Sequence, residues 1–163
     1  MTFDHRFLKI VKNEGVPPPP TAVANYLPFR MVGNMLYLSG QAPFRGHDIP
    51  FKGKLGGGVS VADGAAAARL TGLNLLYEAR AALGTLDDVE AIVSIDGMVN
   101  CTSEFMGQSA VIDGCSDLLV EIFGDAGKHT RSAVGQVALA MDITTEIKMQ
   151  LLVKNPEGSL LSI

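Results

Sequence analysis

The sequence predicts an α/β (α+β) domain, a single mixed β-sheet with two helices packed on one face, in the order β-β-α-β-α-β-β. Three observations carry this expectation. Residues 143–153 alternate strictly: Ile143, Thr145, Ile147, Met149, Leu151 and Val153 fall on one face, and Thr144, Glu146, Lys148 and Gln150 on the other, as in a half-buried strand. After Ser60, the residues Ala62, Ala66, Leu70, Leu73 and Tyr77 recur at helical spacing, while Asp63, Thr71, Asn74 and Glu78 fall elsewhere. Near the start, Gly33-Asn34 separates two short apolar runs and suits the two-residue turn of a hairpin.

The remaining elements follow in chain order. Residues 2–13 predict a short helix with Phe3, Phe7, Leu8 and Val11 on one side, stopped by the prolines at 17–20. This arm, residues 1–20, is set apart from one domain spanning 21–163. A glycine-rich loop covers 44–58; its Gly56-Gly57-Gly58 run lacks the phosphate-loop pattern and reads as a flexible connection. Ser60 caps the first core helix with Asp63 three residues on, and Gly84 ends it. A strand is expected over 89–99 and a second helix over 111–123, with Asp113–Asp117 read as that helix's start or an early interruption. Strands over 132–139 and 143–153 close the chain. The short turn at Ala140-Met141-Asp142 predicts that these last two are antiparallel neighbours.

Composition narrows the function. The chain has 163 residues, enough to bury a core, with 47% hydrophobic and 18% charged residues and no Trp. That apolar excess points to a buried subunit interface. Glu146, Lys148 and Gln150 in a row exclude a second dry core, so that sheet face must meet water or a partly polar interface. A formal charge of −4 without a basic cluster argues against nucleic acid as the main partner. His5, His47 and His129 have no metal-ligand spacing. Cys101 and Cys115 read as inert small residues. With no signal-like apolar core and no long apolar run, the expectation is a cytoplasmic protein away from membranes.

Two charged residues have chemistry to offer. Arg131 presents a planar fork that can grip a carboxylate through two parallel hydrogen bonds. Glu146 can activate water or return a proton. On their own, a structural ion pair or a solvated charge explains them as well.

Several stretches taken together resemble the YjgF/Rid family. They are residues 33–43, Gly-Asn-Met-Leu-Tyr-Leu-Ser-Gly-Gln-Ala-Pro; the Ala-rich helix with Leu73-Asn74; and Arg131-Ser132-Ala133-Val134 followed by Thr145-Glu146-Ile147. The segment from Ser116 to Arg131 is similar to a less characterised branch. The resemblance implies a chorismate-mutase-like fold and a homotrimer with ligand clefts between subunits. It also implies hydrolysis of a small carboxylate-bearing imine or enamine to a keto acid and ammonia, with neither cofactor nor metal.

In that frame Arg131 matches the arginine that holds the substrate carboxylate and Glu146 the glutamate that handles water. Tyr26, Ser39 and Gly40 match cleft positions. Ala133 stands where the deaminases often have cysteine and would hold substrate through nearby backbone amides. Asp113 falls near the cleft asparagine, where a second carboxylate would repel a ligand's own; pointing away, pairing with Arg131, or a different ligand would each resolve this. Lys148 replaces an acidic residue of the last strand, and Ala140 a proline. A non-catalytic module binding small carboxylates is the alternative, and an endoribonuclease a lesser one.

Overall fold

A computed structural model describes residues 1–21 and 24–154. The chain runs α1 (Phe3–Glu14), β1 (Phe29–Val32), β2 (Met35–Gln41), α2 (Val61–Leu83), β3 (Val89–Asn100), α3 (Gln108–Phe123), β4 (Thr130–Gln136) and β5 (Thr145–Val153). After the first helix this is the expected order. Residues 155–163, which the expected domain includes, lie outside the described residues. Among the described residues no helix is long and apolar enough to cross a membrane.

Helix α1 is capped by Thr2, whose side chain accepts from the His5 amide, and closed by Gly15 at φ +61°. It buries Phe7 and Val11 in the common core. Asp4 accepts from Arg80 at 2.8 Å and from the Leu86 amide, while Arg6 donates to the Ile122 carbonyl. The segment set apart as an arm is thus bonded to the elements on both sides of it.

The sheet order is β1-β2-β5-β3-β4, with every pairing antiparallel except β3 with β4, which is parallel. The expectation that β4 and β5 are neighbours is therefore corrected. Two parallel strands need a crossover, and α3 supplies it, returning the chain alongside β3 to fill that edge. The 137–144 connection then passes the end of β3, where the Cys101 amide donates to Gln136 O and the Asn100 amide to Thr144 O. That passage frees β5 to enter between β2 and β3, where it has backbone partners on both sides.

The alternation in β5 is as expected, with Thr145, Ile147, Met149, Leu151 and Val153 all buried. They face α2, whose Thr71 hydroxyl meets Thr145 Oγ1 at 3.0 Å. Helix α2 is where the simple stripe fails: Ala62 and Ala66 are exposed, while Thr71 and Asn74 are fully buried. The sheet, α3 and α1 cover it on more than one side, and the ring of Tyr77 meets that of Phe7 at 4.9 Å. Thr71 Oγ1 donates to Ala67 O, and Asn74 Nδ2 donates to Ala42 O and Phe44 O, whereas the buried Asn74 Oδ1 has no hydrogen-bond partner among the described residues.

Helix α3 begins at Gln108, so Asp113–Asp117 lie inside it rather than at its start. Gly114, which suggested an interruption, serves packing instead. A Cβ there would collide with the Ala65 carbonyl of α2, so glycine lets the two helices meet backbone to backbone.

Candidate functional site

The cleft is built from a defect in β2. Leu38 pairs with Met149 but Gln41 with Ile147, so three steps on β2 answer two on β5. One extra residue makes a bulge, the device that re-aims a strand at a functional site. The Ser39-Gly40-Gln41 element forms it, and Gly40 comes to lie against Glu146. A Cβ at Gly40 would overlap Glu146 Oε1, so only glycine leaves the carboxylate its place.

Around this contact the walls are tied down. Ser39 Oγ donates to Leu27 O at 2.6 Å and the Ser39 amide to Pro28 O, which fixes the segment carrying Tyr26 beside β2. From the other side, Asn74 of α2 holds the carbonyls of Ala42 and Phe44. The result is a cleft of about 520 Å³ lined by Tyr26, Ser39, Gly40, Gln41, Met141 and Glu146, with Pro20 and Thr21 at its rim. Four sequence-predicted residues (Tyr26, Ser39, Gly40 and Glu146) therefore meet in one place.

The turn between β4 and β5 supplies the wall that sequence reasoning missed. Met141 and Asp142 both adopt left-handed backbone, with φ of 57° and 56°. For L-residues other than glycine this costs about 1–2 kcal/mol each. Neighbouring bonds hold it: Asn100 Nδ2 donates to Asp142 Oδ1 at 3.0 Å, and the Gly53 amide donates to Asp142 O. Lys54 Nζ in turn donates to Asn100 Oδ1 and Val137 O. Asn100 is fully buried, so the strained turn hangs from a rigid point.

Arg131, Ala133 and Asp113 are elsewhere. Arg131 pairs across β3 with Ile95, in the row that continues through Met149 to Leu38, and so faces the helices. Glu146 shares its row with Met98 and Val134 on the open face. Within one chain the two residues lie on opposite faces of the sheet with β3 between their strands. Ala133 is half-buried on the Arg131 side, against the core.

Arg131 is held by α3. Its Nη1 lies 2.7 Å from Asp113 Oδ1 and donates to Ser116 Oγ at 2.9 Å, while Nη2 donates to Ser109 Oγ at 2.7 Å. Of the three possibilities for Asp113, pairing with Arg131 is the one found. Ser109, Asp113 and Ser116 are spaced i, i+4, i+7, one polar stripe of α3. That stripe is visible in the sequence once the helix is known to begin at 108. Ser116 also bonds His129 Nε2 at 3.0 Å, and His129 Nδ1 sits 2.6 Å from Gly127 O. Since Arg131 can only donate to Ser116, the hydroxyl hydrogen is free for His129 Nε2, which leaves Nδ1–H to donate to Gly127. Next to this stripe, burial pushes the Cys115 thiol up to about 12, against the opposing pull of Arg131.

Comparison with known proteins follows the same lines. Residues 10–149 match the family described as YjgF/chorismate_mutase-like, putative endoribonuclease. Protein TCP17 of Trypanosoma cruzi is 35% identical over 133 residues, covering 81% of this chain and 83% of that protein. Among solved structures, Atu1372 of Agrobacterium tumefaciens, a protein of unknown function, superposes with a TM-score of 0.85 at 34% identity, over 93% of this chain and 94% of that one. A putative endoribonuclease of Shewanella oneidensis gives 0.86 at 30% identity, over 94% and 100%. The mixed sheet with its helices on one face is accordingly the YjgF/chorismate-mutase-like fold.

Proposed function

This chain belongs to the YjgF/chorismate mutase-like family, and on that premise we propose that it hydrolyses a small carboxylate-bearing imine or enamine to a keto acid and ammonia, in clefts between adjoining copies. One observation carries the reading. Glu146 waits in a cleft with Tyr26, Ser39 and Gly40, while the cation suited to a carboxylate stands on the other face of the sheet, on edge strand β4. A site using both needs a second copy to lay its β4 edge across the first copy's cleft. An edge strand has an unpaired backbone row to offer such a partner. Exposed Val134 and Val137, on and just beyond β4, add apolar surface for it.

The chemistry asks little more. Arg131 of one copy anchors the carboxylate, and Glu146 of the next takes a proton from water as its oxygen adds to the C=N carbon. Glu146 passes that proton to nitrogen, giving the carbinolamine. It then takes the carbinolamine hydroxyl proton and delivers it to nitrogen as the C–N bond breaks, so that the C=O of the 2-keto acid forms and ammonia leaves. An enamine first takes a proton at carbon and gives one up from nitrogen to become the imine. General acid–base help of this kind contributes about 10²–10⁴-fold.

The test is ammonia and keto-acid release from freshly generated 2-aminoacrylate and larger 2-imino acids, comparing wild type with Arg131→Ala and Glu146→Gln. Acceleration by wild type, lost in Arg131→Ala and cut about 100-fold or more in Glu146→Gln, is the expected result. No acceleration on any imine rejects hydrolysis. It would favour a second reading, a non-catalytic carboxylate-binding module, which has its own support in Ala133: beside Arg131 this position offers no nucleophile or acid.

A further inference from the structure

We infer that Asp113 is a built-in competitor for the ligand at Arg131, so that a carboxylate binds this chain only by displacing it. This rests on the reading that Arg131 is the carboxylate anchor.

The geometry is specific. A guanidinium grips a carboxylate through two N–H groups on one edge. On Arg131 both terminal nitrogens are already engaged, Nη1 by Asp113 and Ser116 and Nη2 by the hydroxyl of Ser109 and, at 3.4 Å, its carbonyl. The two serines are neutral and hold the plane of the fork. Among the described residues Asp113 is the one anion paired with Arg131, in the place a ligand oxygen would take.

The partners are also unequally exposed. The Arg131 side chain is 23% exposed and that of Asp113 is 53% exposed. The cation is therefore fixed while the carboxylate stands toward solvent, free to rotate away when a better-placed anion arrives. An incoming carboxylate loses affinity twice, through the ion pair it must replace and through repulsion from the displaced Asp113 nearby on α3. An uncharged amide, too weak a partner for the guanidinium to displace Asp113, meets neither cost. Asp113 thus sets how strongly this chain discriminates for a carboxylate.

Isothermal titration with 2-oxobutanoate and with its uncharged amide tests this on wild type, Asp113→Asn and Asp113→Ala. Removing the charge should tighten 2-oxobutanoate roughly tenfold, the scale of a partly exposed ion pair together with one like-charge repulsion, and leave the amide unchanged. In Arg131→Ala/Asp113→Asn the gain should vanish. Asn keeps the shape of Asp at a half-exposed helix position, and a thermal melt matching wild type confirms that the fold is kept. Equal binding of 2-oxobutanoate by wild type and both Asp113 variants overturns the inference and leaves the anchor role of Arg131 standing. An equal gain for the amide overturns it too, because the effect would be one of space. Failure of wild type and variants alike to bind 2-oxobutanoate overturns the inference and the carboxylate reading together.

Discussion

At Gly40 the difference between a hydrogen and a methyl group decides where a carboxylate can lie. Glu146 occupies the space a Cβ would need, so Gly40→Ala should drive the carboxylate off its position while leaving the bulge intact. Displacing a reacting group by about 1 Å costs on the order of 100-fold in rate. That loss in kcat, with a melting temperature close to wild type, is the expected outcome of steady-state imine assays beside a thermal melt. Cys115 is the contrasting residue. It is fully buried, and desolvation raises its thiol to about 12. In the folded protein at pH 8 it should stay unmodified by a thiol reagent over hours and react at once in denaturant, as peptide mapping by mass spectrometry would read. The sequence reads this cysteine as an inert small residue. It offers pairing with Arg131 as one of three possibilities for Asp113 without choosing among them, because an ion pair between a helix and a strand depends on how the two pack.

Local elements were legible where a single face is buried and obscure where two are. β5 has one face on the core and one open, so its alternation reads directly. α2 is enclosed on several sides, so Thr71 and Asn74 sit inside with hydrogen bonds that no hydropathy pattern announces. The turn at residues 140–142 was expected as a connection, but its left-handed backbone and its place on the cleft wall come from the tether to Asn100. Met141→Gly should relieve that strain and stabilise the protein by about 1 kcal/mol, seen as a higher melting temperature. The same change removes a side chain from the cleft wall and should raise KM for the larger imino acids more than for 2-aminoacrylate. In α3, Gly114→Ala should do the reverse of stabilising. Its methyl group meets the Ala65 carbonyl, and overpacking of this kind costs about 1–3 kcal/mol, read as a lower midpoint in denaturant.

At the scale of the whole molecule, the proposed site draws Glu146 and Arg131, on opposite faces of one sheet, from two copies of the chain. Light scattering should give three times the 17.2 kDa chain mass. Co-refolding inactive Arg131→Ala with inactive Glu146→Gln should restore activity, since some clefts then receive an intact arginine from one copy and an intact glutamate from the next. Random assembly predicts about a quarter of wild-type activity, and none at all if both residues must come from the same chain. The sequence by itself determined the order of elements and the polar face of β5, because burial periodicity and turn chemistry are local properties, while the cleft residues come from the family resemblance. Only the tertiary structure decided which strand lies beside which. It separated β4 from β5 by β3, turned Arg131 and Glu146 to opposite faces, and set Asp113 against Arg131. Those are consequences of a crossover and of helix-on-sheet packing, where residues far apart in the chain compete for the same partners, and no local pattern records the outcome of that competition.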